Sequence, residues 1–274
     1  MSRNSTAHGD NHRVLLALLI GSAFVIAGGM HYQTPMLARI ADEFHASPAA
    51  AGWIPTLSFG GMLTGIALLV PLGDRISKRW LIIGMIAVLS VAQAVMAAAP
   101  SIAVLAGASL VTGMCSGVGL LFVSIVIEMA PPESRGRMVG TQLTAMFTGI
   151  LFARIAGGII ATHFGWRWSY VFSTGLHATL VFALLMWLPH THPTTKMGYG
   201  ELLGSIFTLY RKHGNVRRAV TIQFLLGICY GAFWAVVASM MATLHHVGPT
   251  TAGLIGIPGA AGIIVARPAG RWMD

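Results

Sequence analysis

Arg154 stands in the middle of the apolar run Gly149 to Ile160, which reads GILFARIAGGII. A guanidinium at the centre of a membrane helix costs about 2.5 to 3.5 kcal/mol, so such a residue turns toward a cavity or a partner. There it can anchor an anionic or carbonyl-bearing substrate, or bias the protonation of a nearby carboxylic acid. Alternatively its fork bonds the backbone carbonyls of a neighbouring helix and does no chemistry. Proton coupling needs another kind of residue, one that titrates. Within the apolar runs the candidates are His31, Glu128, His163 and His177. Glu128 and His163 fall near the ends of their runs, which leaves His31, beside Tyr32 and Gln33, better placed, with an ordinary pKa of about 6.5. A cavity-lining histidine of constant charge reads the same way. Gln142 and Gln223 offer uncharged hydrogen bonds to a substrate, and equally to a neighbouring helix. The remaining cluster is Val70 to Trp80, VPLGDRISKRW, where Asp74, Arg75, Lys78 and Arg79 are pressed between two runs that carry no charge.

The elements that must position these residues follow from composition. The 274-residue chain is 55% hydrophobic and only 9% charged, with a mean hydropathy of +0.74. That is too little charge to cover a soluble surface, for which about 25% is usual. Runs long enough to span a bilayer, at about 20 residues each, fall near 14–37, 50–72, 80–99, 102–129, 138–162, 168–189, 217–243 and 250–268. They are apolar on every face, whereas barrel strands alternate. Only a helix then satisfies its own backbone in hydrocarbon. The first run is read as a retained helix rather than a cleaved signal, given its length and the spans that follow. Cys115 and Cys229 both lie inside predicted spans, so neither a disulfide framework nor a CxxC motif is available.

The formal charge of +9 is laid out asymmetrically. With the N-terminus inside, the cytoplasmic loops hold Arg3, Arg13, Arg75, Lys78, Arg79, Arg135, Arg137, Lys196, Arg211, Lys212, Arg217, Arg218, Arg267 and Arg271. Arg39 and Arg167 fall outside, and Arg154 lies within a span. This positive-inside bias orients a multi-pass protein, and no nucleic-acid partner is needed to account for the charge.

One loop is long, from Pro189 to Arg218, with an amphipathic middle that reads as an interfacial linker. Six predicted spans precede it and two follow. Asp74 after the second span is echoed by Asp274 after the eighth, 200 residues later, with Gly270 four residues before it where Val70 stands in the first copy, an internal repeat. A second unit starting at the linker would need four more spans. The sequence therefore reads as the front two-thirds of a protein of roughly 400 residues. The expected domains are a six-helix transmembrane bundle over 1–189, a cytoplasmic linker over 190–216 and an incomplete bundle of two helices over 217–274.

This pattern resembles the major facilitator superfamily of secondary transporters, whose six-helix bundles face each other across a central cavity. The family's loop signature after its second helix is G-x-x-x-D-R-x-G-R-K/R. Val70 to Arg79 keeps the Asp-Arg pair and the terminal bases, while Val70 and Ser77 replace the two glycines. HYQTPMLARIADEF, PPESRGRMVG and GWRWSYVF look like segments of the bacterial drug and metabolite exporters of this superfamily. The resemblance implies an all-α polytopic fold in the bacterial inner membrane. It further implies a gating loop in which Asp74 accepts hydrogen bonds at the cytoplasmic mouth in one conformation and releases them in the other. Arg75, Lys78 and Arg79 are expected to meet anionic headgroups. The exporter motif G-x-x-x-G-P-x-x-G-G of the fifth helix becomes Gly149 to Gly158, with Ala153-Arg154 in place of Gly-Pro. In the fourth helix Ser109 and Thr112 stand where the family often carries Arg and Gln, so Arg154 is expected to take over that electrostatic role.

The expected function is secondary active transport of a small molecule by alternating access, with proton-coupled efflux ahead of metabolite symport. An inactive or partial transporter, or one completed by the missing helices as a separate chain, is the other reading. No enzymatic role, catalytic residue, cofactor or metal is expected. The histidines His190, His192, His245 and His246 fall on opposite sides of the membrane, and no H-E-x-x-H or acidic cluster completes a site.

Overall fold

In the computed structural model, the backbone is described over residues 3–244 apart from 192, 194 and 196, and side chains over 15–229 with the same exceptions. Every regular element in this range is helical. The predicted eighth span, with Gly270 and Asp274, lies outside the described residues, as do His192, His245 and His246.

The helices follow the apolar runs, and their ends follow local chemistry. Helix α1 (Arg3–Gly29) leads through a 3-10 turn at Thr34–Met36 into α2 (Leu37–Glu43). The first membrane-length segment therefore reaches Glu43 rather than residue 37. Helix α3 (Pro48–Leu68) starts at Ser47, whose side chain accepts from the Ala50 amide at 3.2 Å, with Pro48 in the first turn where its missing N–H is harmless. It continues into the single turn α4 (Leu72–Arg75). Helix α5 (Lys78–Ala97) is unbroken. The fourth span is two helices, α6 (Ile102–Ser116), capped by Ser101, and α7 (Val118–Met129), separated at Gly117. Helices α8 (Arg135–His163) and α9 (Trp166–Trp187) meet at Gly165, whose φ of +95° lies in the left-handed region that glycine adopts without strain. Beyond them come the amphipathic α10 (Tyr199–Lys212) and α11 (Gly214–Leu244), which coincides with the seventh predicted span.

Six segments are long and apolar enough to cross a membrane among the described residues, from Leu15–Glu43 to Trp166–Trp187. Their most extensive pairings are α3 with α6, α1 with α8, and α5 with α9. Outward-facing Trp53, Leu63, Val91 and Phe182 are exposed, as expected where lipid rather than water surrounds the bundle. Inside, one apolar cluster gathers Leu19, Ile82, Leu89, Phe122 and Leu184 toward the end that carries Asp74, and another gathers Tyr32, Ile54, Met96, Leu105 and Trp166 toward the opposite end. Between them along the chain lie buried polar residues: Ser90, Gln93, Ser109, Thr112, Ser173 and His177.

The far end is tied by a clamp. Trp166 Nε1 donates to Glu43 Oε2 at 2.5 Å, and Arg167 pairs with the same carboxylate. Arg167 also donates to the Ala99 carbonyl at 3.2 Å and lies 4.2 Å over the Trp166 ring. Arg39 donates to the Ala161 carbonyl. The segments IADEF and GWRW, separated by more than a hundred residues, are thus two halves of one contact.

Candidate functional site

Around Asp74 the chain folds back on itself more closely than its composition suggests. Arg75 is exposed, but Lys78 is only 2% exposed, and its ammonium reaches Ser124 Oγ at 3.0 Å and the Glu128 carboxylate. Arg79 donates to the carbonyls of Leu185, at 2.6 Å, and Leu188. The expected headgroup contact therefore falls to Arg75. Lys78 and Arg79 turn inward because the carboxylate on α7 and the open carbonyls at the end of α9 offer partners in a setting where an unpaired charge is costly. The segment after α9 joins in. Thr191 Oγ1 accepts from the Arg79 amide at 3.1 Å, the Thr195 amide donates to the Asp74 carbonyl at 3.0 Å, and Tyr199 Oη donates to the Leu68 carbonyl at 2.6 Å. Sequence reasoning missed Glu128 as a partner of this loop. The signal was present in its position near the end of its run.

The Lys78–Glu128 pair is asymmetric, since Glu128 is half exposed. Removing Glu128 strands a buried ammonium, whereas removing Lys78 leaves a carboxylate that water can reach. Thermal denaturation in detergent is therefore expected to show Glu128→Ala losing about 2 kcal/mol and Lys78→Met less than about 1 kcal/mol. The double variant should recover most of the difference.

Toward the middle of the bundle, Arg154 is buried on α8, and its charge lies within electrostatic range of His31. The His31 Nδ1–H donates to the Ala27 carbonyl at 2.8 Å, so Nε2 is the accepting nitrogen, and the ring meets Phe59 edge-on at 6.3 Å between centroids. Arg154 on α8 and His31, in the turn that follows α1, are thus brought within range of each other's charge. Gln142 is not with them. It is buried on the same helix, twelve residues or about 18 Å nearer the Asp74 end, and neither end of its amide finds a protein partner. Gln223 is exposed on α11.

The motif residues that flank Arg154 explain how α8 comes so near α1. A Cβ at Gly149 would lie 2.0 Å from the Phe24 carbonyl oxygen, and one at Gly157 would lie 2.9 Å from that of Tyr32. Ala153, fully buried between them, sits against Gly28. Small residues four apart let two backbones touch, and the helical step after Ala153 carries Arg154. Helices α3 and α6 meet in the same way. A Cβ at Gly61, Gly65 or Gly113 would fall 1.9 to 2.1 Å from a carbonyl oxygen of the other helix. Ser109 bonds the Ile54 carbonyl at 2.9 Å, and Thr112 the Met96 sulfur at 3.5 Å, so the positions where the family often places Arg and Gln serve packing in this chain.

A family model described as Major Facilitator Superfamily matches residues 19–274. The transporter YgaY of Escherichia coli O157:H7 is 32% identical over 269 residues, covering 96% of this chain and 68% of the relative. Multidrug resistance protein D of Escherichia coli strain K12 is 27% identical, with 87% of this chain and 64% of the relative aligned. Among solved structures, the human organic anion transporter MFSD10 (TETRAN) superposes with a TM-score of 0.70 at 12% identity, covering 94% of this chain and 72% of that one, a likeness of fold.

Proposed function

Because this chain belongs to the major facilitator superfamily, a family of transporters, we propose that it moves a small molecule out of a bacterial cell through the inner membrane in exchange for protons. The observation that carries the reading is that the close packing of Ala153 on Gly28 and of Gly157 on Tyr32 brings buried Arg154 within electrostatic range of half-buried His31. Two positive charges in that space repel. Arg154 is one of them at all times, so a proton on His31 and a neutral substrate whose carbonyl groups take the Arg154 fork occupy the space in turn, which is the condition for exchange. The likeness to a multidrug resistance protein supports the outward direction. The same pair favours a second reading for anions. An anionic group held by Arg154 and a proton on His31 attract, and would travel together as in symport.

In this proposal residues 1–189 form one six-helix unit, 190–216 the linker, and 217–274 the beginning of a second unit whose remaining helices come from further sequence or a separate chain. The N-terminus and the Asp74 loop are cytoplasmic. Asp74, Arg75, Lys78 and Arg79 form the gate, with Gly270 and Asp274 as its counterpart, and Gln142 and Gln223 are uncharged contacts for substrate. Support for the gate comes from the bonds that join the loop to the linker, from the Thr195 amide to the Asp74 carbonyl and from Tyr199 to Leu68, which a rocking of one unit against the other can make or break.

Everted membrane vesicles with an imposed pH gradient, reported by an acridine dye, test the exchange. Adding neutral lipophilic compounds that carry carbonyl groups is expected to dissipate the gradient in vesicles carrying the protein and not in control vesicles. Dissipation by organic anions alone, in the opposite vesicle orientation, would give the symport reading instead. For the orientation, single cysteines at Ser77 and Gly198, in a background lacking Cys115 and Cys229, are expected to resist an impermeant thiol reagent in intact cells. A cysteine at Ala46 should be labelled. The reverse pattern would invert the topology.

A further inference from the structure

Helix α10 carries an apolar face that the rest of the described structure does not cover. At 100° per residue, Leu202, Leu203, Ile206, Phe207, Leu209 and Tyr210 fall within an arc of about 160°, and the polar side chains take the remainder. Leu202 is buried, but Ile206, Phe207, Leu209 and Tyr210 are exposed, Phe207 to 74%. Both ends of the helix are fastened. Tyr199, its first residue, donates from Oη to the carbonyl of Leu68, the last residue of α3, at 2.6 Å. At the other end only His213 separates it from α11, the seventh predicted span, and Arg217 of α11 reaches back to the Arg211 carbonyl at 3.1 Å. Each end of α10 therefore stands at the end of an apolar segment, and the helix covers about 21 Å between them. A helix held in this way runs along the membrane boundary.

We propose that α10 is a docking surface for anionic lipid, with Ile206, Phe207, Leu209 and Tyr210 set about 5 to 10 Å into the leaflet and Arg211 and Lys212 at its headgroups. Amphipathicity alone is silent on lipid type; charge selects it. The stretch from Pro189 to Arg218 holds five Lys and Arg against one acid, Glu201. That carboxylate is occupied at the start of the helix, where it accepts from the Gly198 amide at 3.3 Å. Arg211 and Lys212 in the last turn are exposed and make no ion pair among the described residues. On the helix they stand at the two borders of the apolar arc, Arg211 beside Phe207 and Lys212 beside Leu209, so their stems can lie on apolar surface while their charges rise to headgroup level. A protein covering the same face would have to bring an acid to each border, whereas an anionic leaflet presents phosphates along both. The surface is independent of the transport reading, since its seating is measured without any cargo.

The test is electron paramagnetic resonance of the whole chain in lipid nanodiscs, with a nitroxide on Ile206→Cys or on Thr208→Cys and with Cys115 and Cys229 replaced by serine. In discs of phosphatidylethanolamine and phosphatidylglycerol, the label at 206 is expected to collide with oxygen and to be shielded from a water-soluble nickel chelate, and the label at 208 to show the reverse. In discs of phosphatidylethanolamine and phosphatidylcholine the 206 label should gain access to nickel. Arg211→Gln with Lys212→Gln should do the same in the anionic discs, the ratio of seated to unseated helix falling roughly fivefold per base and about thirtyfold for the pair. Equal nickel access at 206 and 208 in anionic discs would place the helix in water and overturn the proposal. An immobilised 206 label shielded from both reagents would overturn it too, since a protein surface, from the second unit or a second copy, would then cover the face. So would a depth that is the same in both lipid mixtures.

Discussion

Transport by an Arg154→Ala variant is expected to fall at least tenfold while the protein inserts, accumulates and melts as wild type does or slightly higher. The fall corresponds to about 1.4 kcal/mol of lost interaction, below what a hydrogen bond to a charged group typically contributes. Stability should hold because the substitution removes a guanidinium from the interior of a membrane bundle, where its presence is unfavourable. Arg154→Lys separates charge from geometry. It keeps the positive charge beside His31 but loses the planar fork, so transport is expected to be weak and shifted in substrate preference rather than absent. A purely structural arginine gives the opposite order, with the alanine variant losing thermal stability as carbonyls on a neighbouring helix lose their donor. Measuring transport per folded molecule alongside the melting temperature decides between them. A destabilised alanine variant with normal transport per folded molecule would end the functional reading of this residue.

The other large effect is expected at a single methyl group. Gly113→Ala places a Cβ 1.9 Å from the Ser58 carbonyl oxygen, and the obstructing atom is backbone, which no rotamer change can move aside. Helices α3 and α6 must separate, with a loss of about 3 kcal/mol or more at the upper end of overpacking effects. The control lies six residues away on the same helix. At Gly107 a Cβ meets nothing within 4 Å, so Gly107→Ala is expected to be neutral or to stabilise by about 0.5 to 1 kcal/mol through lower chain entropy. Gly61 and Gly60 on α3 form a second such couple, the first obstructed at 2.1 Å by the Leu110 carbonyl and the second open. Similar losses at Gly113 and Gly107 would mean that helix propensity rather than contact sets the result.

Much of this architecture was legible because lipid imposes simple demands. Uncharged runs of membrane length had to be helices, and the seven that fall within the described residues are. Arg154 could be identified as buried since nothing in its run offers water, and the small residues at 149, 153 and 157 announced a close helix contact. Partners were harder to read. Lys78 looked like one more interfacial base because the acid that draws it inward, Glu128, lies fifty residues on, and a sequence does not say which spans are neighbours. The extension of the first span to Glu43 was hidden for a similar reason. Its polar residues read as a loop, yet Arg39 and Glu43 are satisfied by α8 and by the start of α9.

The clamp at Glu43 bears on how the chain is made. Ribosomal synthesis delivers Glu43 long before Trp166 and Arg167, and the principal pairings of the bundle join the first span to the fifth, the second to the fourth and the third to the sixth. The first span therefore leaves the insertion machinery with its glycine face at Gly28 uncovered and its terminal carboxylate without a mate, and both wait through more than a hundred residues of elongation. Its seating is a late event in biogenesis. A nascent chain arrested before residue 166 would hold the first span in the bilayer but not yet against α9, so the order of translation and the order of folding part company in this protein.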